Sequence, residues 1–183
     1  MRILGIDPGL RLTGYACLSG SPDAPTIVEA GVFRLAQRTK ANDAQGDPAG
    51  SAASISARLV ELDRDFRDSL ERLKPEVVAV ESLFTHYKHP TTAIVMGHAR
   101  GTLLLAIRQA GCRLVEFKPN EIKKSLTGHG HASKAQMQLA VQREFDLPEV
   151  PSPPDVADAI AIALCAARRS MPAEPVSDEE RML

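Results

Sequence analysis

The chain lacks four features that would each have settled its class early. It has no apolar run near the roughly 20 residues needed to span a bilayer, so a membrane-spanning helix is not expected. It has no Cys-x-x-Cys pair. Its three cysteines, Cys17, Cys112 and Cys165, are scattered and odd in number, which signals neither a disulfide framework nor a zinc site and reads as three small core residues. It shows no internal repeat. It also lacks the surplus of Lys and Arg that usually accompanies phosphate binding, because the formal net charge is −1. The opening MRILGIDPGL places an acid and a Pro-Gly turn where a secretory signal would need a long apolar stretch, and the expected address is cytoplasmic.

What is present is ordinary in amount and uneven in distribution. A 44% hydrophobic and 25% charged composition over 183 residues fits one globular domain. Residues 82–143 carry nine Lys/Arg against two acids, whereas residues 144–183 carry three against nine. That asymmetry suggests a basic face for a polyanion beside an acidic cluster with another use, although a solvated helix surface would show the same counts.

Periodicity gives the elements. Residues 2–6, 14–18 and 27–33 read as three early strands in an antiparallel meander, with the Ser/Pro/Asp-rich stretch 19–25 between the last two. The polar, aperiodic stretch 37–53 reads as a flexible surface loop. Apolar positions Ile55, Leu59, Leu62, Phe66 and Leu70 predict a helix over 54–74, stopped at Pro75. Residues 77–80 and 113–117 are strands, and 91–110, 119–126, 133–145 and 155–169 are helices, with Ser133 as an N-cap. Residues 170–183 read as a disordered tail. The alternation argues for a mixed sheet covered by helices on both faces.

Four carboxylates stand where such a fold binds ligands. Asp7 and Glu81 each follow a buried strand directly, at the carboxyl end where open α/β sheets place their sites. Asp155 and Asp158 are three apart on one helix and share a face. Together they would form an oxygen-only site of the kind Mg²⁺ or Mn²⁺ prefers. Three have a plainer explanation: Asp7 suits a turn before Pro-Gly, Asp155 suits an N-cap after two prolines, and Asp158 suits the helix dipole, whereas Glu81, an acid closing a buried strand, needs a partner or faces a cleft.

The segments GIDPGLRLTGYAC, VVAVESLF, IKKSLTGHGHASK and DVADAIAIAL, in that order, resemble the RuvC family of Holliday junction resolvases, of the ribonuclease-H-like superfamily, over about residues 1–168. The resemblance implies a single nuclease domain over 1–169. Its sheet would have five strands, the first three antiparallel and the rest parallel, flanked by helices on both faces. It implies that Asp7, Glu81, Asp155 and Asp158 bind two Mg²⁺ ions, with Mn²⁺ able to substitute, and carry the catalysis. Lys123 and Lys134 take the places of basic residues important for activity, and Phe84 that of an aromatic stacking on a base near the crossover. Lys88, Lys118 and Lys124 are further candidate DNA contacts. Implied partners are four-way junction DNA, a second copy of the chain, and the RuvA-RuvB branch-migration complex, with no membrane. The helix 91–110, apolar at Ala93, Ile94, Met96, Ala99, Leu103, Leu104 and Ile107, is either the dimer interface or a buried core helix. His129 and His131 in the TGHGHASK turn either assist at the phosphate or are exposed turn residues. The alternative function is a non-enzymatic nucleic-acid-binding protein of the same fold.

Overall fold

The structure, a computed structural model, describes residues 1–9, 11–34, 52–82 and 90–169. Its strands are β1 (Arg2–Asp7), β2 (Leu12–Ser21), β3 (Ala24–Arg34), β4 (Val77–Glu81) and β5 (Arg113–Phe117). Its helices are α1 (Ala52–Leu73), α2 (Pro90–Gln109), α3 (Pro119–Thr127), α4 (Lys134–Glu144) and α5 (Pro154–Arg169). The five strands form one sheet in the order β3-β2-β1-β4-β5. β1 pairs antiparallel with β2 and β2 with β3, while β4 lies parallel to both β1 and β5. This is the expected mixed sheet.

Period-2 alternation sorts the strands between two cores. Ile3, Ala16, Leu18, Val77 and Ala79 face α3, α4 and α5, in a cluster with Ile122, Met137, Val141 and much of α5. Leu4, Ile6, Cys17, Val78 and Val80 face the other way, onto Leu62 and Phe66 of α1 and Leu103 and Ile107 of α2. Helices therefore cover both faces. Ile160, Ile162 and Leu164 of α5 are fully buried, each stabilising by about 1.5–3 kcal/mol relative to exposure.

Two glycines set how closely α5 approaches. A Cβ at Gly5 would lie 2.2 Å from the Ala159 carbonyl oxygen and 2.6 Å from the Ala163 nitrogen. One at Gly14 would lie 2.1 Å from the Asp155 carbonyl oxygen. Only a residue without a side chain lets the α5 backbone rest directly on β1 and β2.

Several expectations need correction. The stretch 19–25 is mostly strand: β2 runs to Ser21 and β3 begins at Ala24, leaving a two-residue turn of Pro22 and Asp23. Pro25 is tolerated because β3 is an edge strand, where a missing N–H costs no ladder bond. Ala52 and Ala53 already belong to α1, so the 37–53 loop reading stops short of them, and its remaining residues up to 51 lie outside the described residues, as does the tail 170–183. Cys17 and Cys165 are core residues, but Cys112 is half-buried, its thiol donating to the Pro75 carbonyl at 3.3 Å. Ser133 caps α4 as expected, accepting from the Gln136 amide while Gln136 Oε1 accepts from the Ser133 amide.

Replacing Gly5 with alanine should force α5 off the sheet. Overpacking of this kind costs typically 1–3 kcal/mol, and urea unfolding of Gly5→Ala should show a loss of at least that size. An unchanged midpoint would mean that α5 does not rest on β1.

Candidate metal and nucleic-acid site

The alternation that builds the core also aims the acids. In β1, Ile3 and Gly5 point toward α5, so Asp7, two further on, points the same way. In β4, Val77 and Ala79 point toward α5, so Glu81 does too. The parallel register runs through Ile6 opposite Val80, which makes Asp7 and Glu81 the next position on neighbouring strands. Asp158 reaches the same place from α5. These three acids, with Pro119, Ile122 and Lys123 of α3 and Lys134 and Met137 of α4, line one cavity of about 280 Å³. Larger cavities lie elsewhere, between α1 and α2 near Pro75 and between α3 and α4, but each is lined by a single acid.

The turn after Asp7 is closed by Thr13, whose fully buried hydroxyl accepts from the Gly9 amide at 3.1 Å and donates to the Gly9 carbonyl at 2.5 Å. Asp155 sits in the first turn of α5, which begins at Pro154, so it is not the N-cap that the two prolines suggested. It is not among the cavity's lining residues. Its charge nonetheless reaches Asp7 and Asp158.

Electrostatics mark the cavity. Burial, then the charges of Asp158, Glu81 and Asp155, push the Asp7 carboxyl up to about 8, against the opposing pull of Lys134. Burial and Asp158 raise Glu81, while Lys123 and Lys134 oppose. Burial also raises Asp158, with Lys134 the largest opposing influence, its Nζ standing 3.8 Å from Asp158 Oδ2. Four acids are thus short of compensating positive charge, even with two lysines beside them.

That shortage and the all-oxygen donor set fit a hard divalent cation. Among the described residues no three His, Cys, Asp or Glu side chains form a ready-made cage. The fit accordingly rests on carboxylates spaced around a cavity, the arrangement suited to an ion held by few carboxylates together with water and phosphate.

Lys118 and Lys124 are exposed and do not line the cavity. Lys118 precedes α3 with its amide donating to Glu121, and Lys124 is next to Lys123 on the helix and so turned about 100° from it. His129 lies on the α3–α4 side, lining the cavity between those helices, and His131 is exposed. Phe84 and Lys88 lie outside the described residues. The basic count over 82–143 also overstates the cationic face: Arg100 is buried against Glu116, and Arg113 begins β5 at the end of the sheet remote from Asp7.

Arg100 itself was missed by motif reading. Its Nη1 donates to the Glu81 carbonyl at 2.7 Å. The available signal was a cation beside Ala99 and one turn before Leu103, on the core face of α2, which requires buried partners.

Because the Asp7 carboxyl is raised in the folded state, its contribution to stability is fully present below about pH 4 and is lost as pH rises through about 8. Without divalent cation, Asp7→Asn should therefore become progressively more stable than wild type between those limits, by a few kcal/mol at the alkaline end. Added Mg²⁺ should shrink the gap. Chemical unfolding across that pH range checks this, and a pH-independent difference would contradict the environment described for Asp7.

A family described as Crossover junction endodeoxyribonuclease RuvC matches residues 3–166. The RuvC of Rhodopirellula baltica is 41% identical over 163 residues, covering 89% of this chain and 84% of that protein. Among solved structures, Thermus thermophilus RuvC superposes with a TM-score of 0.75 at 29% identity, covering 93% of this chain and 95% of that one. The same organism's RuvC in complex with Holliday junction substrate superposes at 0.74 and 26% identity, with equal coverage. A five-stranded mixed sheet, acids at the ends of β1, β4 and α5, and this extent of similarity place the chain in the RuvC family of crossover junction endodeoxyribonucleases.

Proposed function

We propose that the chain resolves four-way DNA junctions by paired symmetric nicks, as a divalent-metal-dependent endonuclease leaving 5′-phosphate and 3′-hydroxyl ends. The observation that carries this reading is the meeting of Asp7, Glu81 and Asp158 with Lys123 and Lys134 around one cavity, each from a different element or sheet position. Residues 1–169 act as one nuclease domain, working in the cytoplasm.

Asp7, Glu81, Asp155 and Asp158 hold two Mg²⁺ ions, which Mn²⁺ can replace. When bound, such a pair activates water, neutralises the charge that builds on phosphorus and stabilises the leaving 3′-oxygen. Asp7, at the centre of the cluster, is the shared ligand. Glu81 and Asp155 serve one ion or the other, and Asp158, paired at 3.8 Å with Lys134, is a ligand or orients the attacking water. Lys123 and Lys134, which line the same cavity, offset charge at the scissile phosphate. Lys118, just before α3, and Lys124, exposed on it, contact backbone phosphates farther out, as Lys88 does. Phe84, three residues after Glu81, stacks on an unpaired base beside the cut.

Two symmetric cuts call for a two-fold dimer. The α2 helix supports one, because it has both a core face and an exposed apolar face. Ala99, Leu103 and Ile107 belong to the core, whereas Ile94 and Leu105 are 60% and 56% exposed. Between them Gly97 and Gly101 have open space where a Cβ would stand, which permits close approach of a second helix. The RuvA-RuvB branch-migration complex is the expected partner at the junction.

Asp7→Asn should abolish junction cleavage in Mg²⁺ while keeping or tightening junction binding, since one repulsive charge near phosphate is removed; retained cleavage would overturn the metal-site assignment. Junction affinity should fall with salt by roughly 0.9 in log K per phosphate neutralised on duplex DNA. Lys123→Ala should flatten that slope by about one unit and Arg34→Ala, on the edge strand, should leave it alone. Leu105→Glu should shift the protein toward monomer in sedimentation and uncouple the paired nicks, and an unchanged oligomeric state would remove α2 from the interface.

A further inference from the structure

Arg100 is the buried charge that metal and phosphate chemistry leave unexplained. Its side chain is 10% exposed, on the core side of α2. A guanidinium that deep is costly unless its N–H groups are met. Two partners meet it. Nη1 donates to the main-chain carbonyl of Glu81 at 2.7 Å, and Nη2 pairs with the Glu116 carboxylate of β5.

The contact at Glu81 is to backbone, so it does not compete for the carboxylate. It fixes the main chain from which that carboxylate departs. The next residue is held from the other side: the Ser82 amide donates to the Phe117 carbonyl at 2.9 Å and the Ser82 hydroxyl to the same oxygen at 3.2 Å. The parallel ladder ends here, with Glu81 opposite Phe117. At the last residue of a strand, where fraying would otherwise begin, Arg100 thus ties β4, β5 and α2 together. Its own helix is also the one whose exposed face carries Ile94 and Leu105.

We infer that Arg100 is a positioning residue for Glu81, setting how tightly the site holds a divalent cation without touching cation or DNA. This rests on the reading of Glu81 as a ligand. Partners of this kind, one step removed from the ion, typically change metal affinity or activity by about 10–100-fold when removed. A purely structural ion pair predicts something different, since such pairs affect stability and are often replaceable.

The variants are Arg100→Lys, long enough for one partner but lacking the guanidinium fork, and Arg100→Ala. Mn²⁺ binding to the full chain without DNA is read by electron paramagnetic resonance, and exchange of the Ser82 amide by mass spectrometry. Both variants should bind Mn²⁺ at least about tenfold more weakly and exchange Ser82 faster. Junction affinity without divalent cation should stay unchanged, and cleavage should recover as Mn²⁺ is raised. If Arg100→Ala does not fold, Arg100→Lys alone carries the comparison. Wild-type Mn²⁺ affinity in either folded variant, with only a lowered melting temperature, would overturn the inference. If the wild type binds Mn²⁺ but cuts no junction, the proposed function fails while the Arg100 assignment stands on the binding data.

Discussion

The contact on which the rest of the site depends is the one with no side chain in it: the α5 backbone resting on β1 and β2 at Gly5 and Gly14. A helix normally packs on a sheet through interlocked side chains, which hold its backbone off the strands. With the glycines in place, the carbonyl oxygens of Asp155 and Ala159 occupy the space of the missing Cβ atoms. The small residues of α5, Ala157, Ala159, Ala161, Ala163, Ala166 and Ala167, serve the same close approach and are all buried. Packing thereby does electrostatic work, since it forces like charges from three elements into one neighbourhood.

Like charges do not gather without opposition, and the fold supplies only part of it. Lys123 and Lys134 come from α3 and α4, which pack against α5 and the sheet through Ile122, Met137 and Val141. The same apolar cluster that seats α5 therefore fixes the two lysines. They lower the cost of ionising Glu81 and Asp158, and Lys134 that of Asp7, but leave all three carboxyls raised. A site fully neutralised by lysine would hold its acids charged and have little use for a cation. One left with a deficit favours divalent ions and excludes bare phosphate until they arrive.

The acids could be picked out because each sits at a strand end or in the first turns of a helix, whereas Lys123 and Lys134 were singled out through the family resemblance; of these, Asp7, Glu81, Asp158 and both lysines line one cavity. The helix between β1 and β4 is long enough for the crossover that their parallel pairing requires. What the sequence concealed was of two kinds. Strand ends in the β2–β3 hairpin were hidden because Ser, Pro and Gly are turn formers that an edge strand tolerates. Arg100 and Glu116 were hidden because a charge count cannot tell a buried cation from a solvated one; counting Arg100 and Arg113 toward a DNA-facing surface inflated it. The split of α2 into a core face and an exposed apolar face was equally invisible, because apolar residues ring the helix.

The two faces of the sheet divide the labour. The α3-α4-α5 side assembles acids and lysines, and the α1-α2 side builds a second core and presents Ile94, Leu105 and Val60 outward. A resolvase must time one cut against its partner's, which requires that the surface joining two copies and the cavity holding metal share a mechanical connection. Glu81 has a contact on each side of the sheet. Its carbonyl belongs to the α2 side through Arg100, while its carboxylate faces the α5 side with Asp7 and Asp158. Glu81 thereby links the helix that carries the exposed apolar face to the cavity that Asp7 and Asp158 line.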